Sequence, residues 1–204
     1  MAGAILFGGL LGTGGALPLI AIQILWVNLA TDGLPAIALS VDPAAPDIMK
    51  RQPRPRTETV FTRPVLILMV LGGVWIAAVC LGIFSWALGI GKSEVETHCL
   101  VFMTLCMMEF FAAFVFRSDR LSIFQLGFLK NKWLILAVVV SFGMTLPLLY
   151  IPFLQEVFHT YALPWADWVI IILSSVTILV VLEIGKLIIR WVTLSSTNKA
   201  PVSR

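Results

Sequence analysis

Apolar residues fall in five long runs, at about 18–41, 64–90, 97–116, 133–152 and 165–189. Each reaches the ~20 residues that a helix rising ~1.5 Å per residue needs to cross a ~30 Å hydrocarbon core. Polar connections separate them: "DPAAPDIMKRQPRPRTETVFTR", "GKSEVETH", "RSDRLSIFQLGFLKNK" and "FLQEVFHTYALPWAD". The chain ends in "WVTLSSTNKAPVSR". The pattern predicts an all-α fold, a polytopic membrane helical bundle of about five full transmembrane helices embedded in lipid.

The first residues, "MAGAILFGGLLGTGGALP", are apolar as well. Before Gly12 they offer only ~16 Å of helix, about half a span. Residues 1–14 therefore read as a truncated N-terminal helix and its outer turn, with the chain starting in mid-membrane. A signal peptide or a re-entrant segment is the other reading, although no basic stretch precedes the apolar one. The expected organisation is one membrane domain over 1–204: the truncated helix, a polar-marked helix at 18–41, a loop at 42–63, four further helices within 64–190 and a tail at 191–204.

Composition strengthens the membrane assignment. The chain is 59% hydrophobic and 12% charged, with a mean hydropathy of +0.99, values outside the range of soluble domains. The net charge of +3 signals no nucleic-acid partner, because the cations sit beside spans and not in a patch. Lys50, Arg51, Arg54, Arg56, Arg63, Arg117, Arg120, Lys130, Lys132, Lys186, Arg190, Lys199 and Arg204 all fall on one side, and Lys92 alone on the other. The positive-inside rule then makes the Arg-rich loops and the C-terminus cytoplasmic, and a bacterial plasma membrane is the expected setting. Trp75, Trp86, Trp133, Trp165, Trp168 and Trp191 are expected mostly near span ends, as interfacial anchors. Cys80, Cys99 and Cys106 lie in apolar segments without metal spacing and read as packing residues.

Polar groups inside the spans carry the candidate chemistry. Asn28, Thr31 and Asp32 stand at i, i+3 and i+4, one face of a regular helix. Gly33 loosens that helix, and Pro35 cannot return an N–H to the carbonyl of Thr31. Amide, hydroxyl, carboxylate and freed carbonyl oxygens are hard donors, suited to Ca²⁺, Mn²⁺ or an alkali cation. A neutral, hydrogen-bonded Asp32 is the alternative, at an insertion cost of about 3 kcal/mol. Glu109, deep in "CLVFMTLCMMEFFAAFVF", is the expected partner for Asp32, or else a protonated hydrogen-bond donor. Glu183 reads as a salt-bridge partner of Lys186 or Arg190, and His98 and His159 as ordinary interfacial residues. Ca²⁺ takes 6 to 8 oxygens, more than Asn28, Thr31, Asp32 and Glu109 supply. The proline-rich connection is a stiff extended segment, either a solvated linker or an arm that docks a cytoplasmic partner.

The run "IQILWVNLATDGLPAIALSVDPAAPDIMKRQPR" resembles the sixth membrane helix and following loop of type II P-type cation-transporting ATPases, most of all the sarcoplasmic-reticulum-type calcium pumps and their bacterial relatives. There it reads WVNLxTDGLPAxAL followed by DIMxRxPR. "TLCMMEFF" is similar to the acidic segment of their eighth helix, and "LEIGKLIIR" to the end of the tenth. The resemblance covers essentially the whole chain as the C-terminal part of such a pump. It implies that Asn28, Thr31, Asp32 and Glu109 are metal ligands, with Ca²⁺ as the transported ion and Mn²⁺ or another cation sharing the same ligands.

The same resemblance implies that the 42–63 loop contacts pump domains supplied in cis or in trans, through which alone ATP and Mg²⁺ enter. Where the family has a fifth-helix glutamate ligand, this chain has Gly3. The PEGLP, DKTG and TGDG segments have no counterpart here, so no catalytic or nucleotide-binding residue is expected. The chain alone lacks the ATP-hydrolysing machinery of the parent translocase family and reads as a fragment. A self-contained cation channel or secondary carrier, or a non-functional membrane remnant, are the alternatives.

Overall fold

The structure, a computed structural model, describes residues 18–42, 62–118, 121–127 and 130–197. The expected truncated helix at 1–14, most of the proline-rich loop, Arg120 and the last residues of the tail lie outside the described residues. Five helices are long and apolar enough to cross a membrane: α1 (Ala21–Ser40), α2 (Arg63–Gly89), α3 (Glu94–Val115), α5 (Lys132–Tyr150) and α7, which spans at Trp165–Trp191 and continues to Thr197. Two short helices join them, α4 (Ile123–Leu126) and α6 (Pro152–Phe158). The all-α bundle expected from the sequence is what folds, with no strand among the described residues.

Local chemistry sets the ends. α3 starts before the expected 97 because Ser93 and Glu96 form a capping box. The Glu96 N–H reaches the Ser93 hydroxyl at 3.3 Å, and the Glu96 carboxylate takes the Ser93 N–H at 2.8 Å. Two orphan donors are thereby satisfied, which draws part of "GKSEVETH" into the helix. α5 stops at Tyr150, since Pro152 holds Ile151 in an extended conformation (φ −92°, ψ 118°). Pro152 then opens α6, and His159, at φ 50°, closes it in the left-handed region. α7 runs past the expected end of the last span, so that the first residues of the predicted tail are helical.

The helix at the centre is α3. Of its apolar stretch 72% is buried, against 22–33% for the other four spans. It packs chiefly on α7 and α2, and α1 packs on α5. Cys99 and Cys106 lie in this core with Cys80, all unpaired and buried, which agrees with their reading as packing residues. α2 and α7 meet at glycines. A Cβ at Gly185 would stand 2.7 Å from Leu71 Cδ2 and 3.2 Å from Leu68 Cδ2, and one at Gly72 would stand 3.3 Å from Leu182 Cδ2. Small residues at such crossings let backbones approach, the main source of helix attraction in lipid. Trp75, expected as an interfacial anchor, lies well inside α2 and donates to Thr177 Oγ1 at 2.9 Å. Its indole N–H is fixed by a partner across the helix pair and not by the membrane surface.

Each end of the bundle is tied by a buried ion pair. Lys92, the lone cation of its side, donates to Asp167 at 2.8 and 2.9 Å, and Tyr161 donates to the same carboxylate. Burial, reinforced by Asp167, raises the Tyr161 phenol above its usual range. At the Arg-rich end Lys186 pairs with Glu183 at 3.4 Å, as expected, and also donates to Val115 O at 2.6 Å and Leu121 O at 3.2 Å. Glu183 in turn accepts the Ile123 N–H at 3.1 Å.

Two outcomes follow from this packing. Gly185→Leu overpacks the α2–α7 crossing and lowers stability by about 1–3 kcal/mol, read by unfolding in mixed micelles, whereas Gly185→Ala costs less because flexible leucine ends can yield. The folded state holds the Tyr161 proton more tightly than the unfolded chain does. Stability from this group is therefore complete below about pH 10 and lost as pH climbs beyond it. Tyr161→Phe should remove that alkaline limb from a melting-temperature profile.

Candidate functional site

α1 is three pieces. Ala21–Trp26 is α-helical, Val27–Thr31 forms one π turn, and Gly33–Ser40 is α-helical again beyond Asp32. The Asp32 N–H skips a residue and bonds Val27 O at 3.0 Å. Side chains take part in the altered ladder: the Asn28 amide donates to Ile24 O at 2.9 Å. The Thr31 hydroxyl has Val27 O at 2.6 Å. Pro35 supplies no N–H for Thr31 O, so a regular ladder could not continue there in any case. Single π turns inside α-helices are frequent at functional sites.

The wider turn divides the expected triad. Thr31 is 1% exposed and points into the bundle, while Asn28 and Asp32 are exposed. The single face predicted for i, i+3 and i+4 is thus corrected: it presumed α-helical turns, and the π turn swings Thr31 away from its neighbours. It is the inward Thr31, and not Asp32 as expected, whose side chain bonds Glu109. Its hydroxyl lies 2.9 Å from Glu109 Oε2 on α3, so one hydroxyl proton stands between a backbone carbonyl and a carboxylate. The structure therefore joins Thr31 to Glu109 and leaves Asn28 and Asp32 on the open face of α1.

Four further residues hold this helix in place, and the sequence reading missed them. Ser141 on α5, fully buried, donates to Ala30 O at 2.8 Å within the π turn. Thr145, one turn further along α5, accepts the Trp26 indole N–H at 3.2 Å. Gln23, also fully buried, donates to Phe158 O at 3.0 Å. Asn131 donates to Ala38 O at 3.2 Å. Ser141 and Thr145 stand at i and i+4 in the apolar run "VVVSFGMTL", a spacing that signals one polar stripe and could have found them.

The donor set is made of hard oxygens. Among the described residues no group of three or more His, Cys, Asp and Glu side chains is placed to hold a metal ion. What the geometry offers is two carboxylates, a hydroxyl, an amide and a helix break.

Residues 16–188 match the family model described as "Cation transporting ATPase, C-terminus". The chain belongs to this family. It is 34% identical over 169 residues to "Calcium-transporting ATPase 1" of Yarrowia lipolytica, covering 83% of the chain and 18% of that protein. It is 34% identical over 190 residues to "Calcium-transporting ATPase 1" of Bacillus cereus, covering 85% and 21%. With "Calcium-transporting ATPase" of Bacillus subtilis the identity is 38% over 157 residues, covering 76% and 18%. The chain thus spans about a fifth of the length of the curated relatives it matches. As a member of the cation-transporting ATPase C-terminal family with five apolar spans, it is an integral membrane protein.

The Thr31–Glu109 contact is directly testable. Thr31→Val leaves a carboxyl inside the bundle without its hydroxyl partner and should cost about 1–3 kcal/mol in mixed-micelle unfolding, whereas Thr31→Ser should keep most of that stability.

Proposed function

We propose that this chain is the ion-binding and translocation part of an ATP-driven cation pump, with Ca²⁺ as the transported ion. The observation that carries the reading is the broken helix of a cation-transporting ATPase family member, whose Thr31 hydroxyl touches the embedded Glu109. Asn28, Thr31, Asp32 and Glu109 are the proposed ligands. Their oxygens are fewer than Ca²⁺ requires, and Asn28 and Asp32 are open to whatever packs on the exposed face of α1. The remaining oxygens come from other parts of the pump, in cis or in trans.

Ca²⁺ is preferred over Mn²⁺, which the same ligands would accept, because the relatives are named calcium-transporting. In the mechanism we assign, phosphorylation in the pump's other domains, which handle ATP and Mg²⁺, tilts the helices. The 42–63 loop relays that state to α1. Cation leaves on the outer side as the carboxylates of Asp32 and Glu109 take protons in its place. The Arg-rich end is cytoplasmic by the positive-inside rule, and a bacterial plasma membrane is the proposed setting.

The test exchanges residues 16–188 for the matching segment of the Bacillus subtilis relative. The hybrid should hydrolyse ATP in response to Ca²⁺, and Asp32→Asn or Glu109→Gln should reduce that response to background. Normal Ca²⁺ stimulation in the Asp32→Asn hybrid would overturn the site. Cation flux through the isolated chain in liposomes without ATP would point instead to a channel or carrier.

A further inference from the structure

The connection between α3 and α5 grips the far end of the broken helix with two buried side chains that the proposed ion site does not use. Arg117, just past α3, has a side chain 2% exposed. Its Nε donates to both Asp42 oxygens at 3.2 Å, its Nη2 to Oδ1 at 3.0 Å, and its Nη1 to Gly127 O at 3.0 Å. Gly127, at φ 79°, occupies the left-handed region, where a side chain would be strained. Asn131, 1% exposed, works from the other end of the connection. It donates to Ala38 O at 3.2 Å while accepting the Leu134 N–H at 2.9 Å as the N-cap of α5.

The connection is itself anchored. Lys186 on α7 holds the carbonyls of Val115 and Leu121, and Glu183 holds the Ile123 N–H. Ala38, Phe114, Ile123 and Leu134 close an apolar cluster beneath it. Asp42 and Ala38 are thus fastened to residues on a connection that is itself bonded to α7.

Mechanical reasoning gives this a role. The π turn at Val27–Thr31 replaces the regular ladder between Ala21–Trp26 and Gly33–Ser40 with a wider one. The place of Gly33–Ser40, and with it of Asp32, is then set by what holds its other end. A bidentate guanidinium–carboxylate pair fixes angle as well as distance. We propose that Arg117 and Asn131 are positioning residues, clamping the Gly33–Ser40 half of α1 to α3 and α5 and so setting the separation of Asp32 from Glu109. Asp42 is also the first residue of the proline-rich 42–63 loop, so a displacement of that loop reaches the clamp before it reaches the site. The functional consequence rests on the ion-site reading above, but the clamp does not.

The experiment has two arms. In the first, the full chain with its native cysteines changed to Ala carries spin labels at the exposed Ile37 and Leu136, on α1 and α5, or at the exposed Met69 and Ile188, on α2 and α7, as the control pair. Arg117→Lys, which keeps charge but loses the fork, and Asn131→Ala should each broaden the Ile37–Leu136 distance distribution and leave the control pair unchanged. An unchanged Ile37–Leu136 distribution overturns the clamp. Broadening of both pairs also overturns it, since that marks general loosening.

In the second arm, the hybrid pump bearing either variant should need about tenfold more Ca²⁺ for half-maximal ATP hydrolysis, with its maximal rate preserved. A lower maximal rate at unchanged half-activation overturns the positioning role. A hybrid with no Ca²⁺ response even in its unmutated form counts against the ion-site reading alone, and the first arm still decides the clamp.

Discussion

A backbone in hydrocarbon has no water to bond, so every interruption of a membrane helix must be answered by protein groups. The π turn at Val27–Thr31 is such an interruption, and much of the polar chemistry in the described bundle is arranged around it. Asn28 and Thr31 bond back to carbonyls of their own helix, and Ser141 reaches across from α5 to Ala30 O. The break is thereby satisfied within the protein, with the Thr31 hydroxyl left beside the Glu109 carboxylate.

Placement of the second carboxylate depends on α3 being the central element. Because α3 is enclosed by its neighbours, Glu109 is carried by the most buried of the five spans, and Thr31 bonds to it. The α2–α7 pair supports that arrangement from the other side. Its glycine crossing and the Trp75–Thr177 bond replace hydrophobic attraction, which contributes little between helices surrounded by lipid tails.

The ends of the bundle are treated unlike its middle. Lys92, Asp167 and Tyr161 form one buried polar group, and Arg117–Asp42 with Lys186–Glu183 form two more at the opposite end. Charges cost least near the membrane boundary and act there as fasteners, whereas the embedded acids at 32 and 109 are left without a cation within salt-bridge distance among the described residues.

The spans were legible from the sequence because the hydrocarbon core imposes a minimum apolar length, and 18–41 or 64–90 satisfy it whatever their neighbours do. The packing role of the cysteines and the Glu183–Lys186 pair followed from position along those spans, but Glu109, expected opposite Asp32, is bonded by Thr31 instead. The split of Asn28 and Asp32 from Thr31 did not, because spacing presumes an α-helical turn, and whether a π turn forms depends on Ser141 and α3 offering partners from far along the chain. The bonds made by Arg117 and Asn131 were illegible for the same reason. A lone polar residue reads alike whether it faces water, lipid or a carbonyl on another helix, and only packing chooses among these.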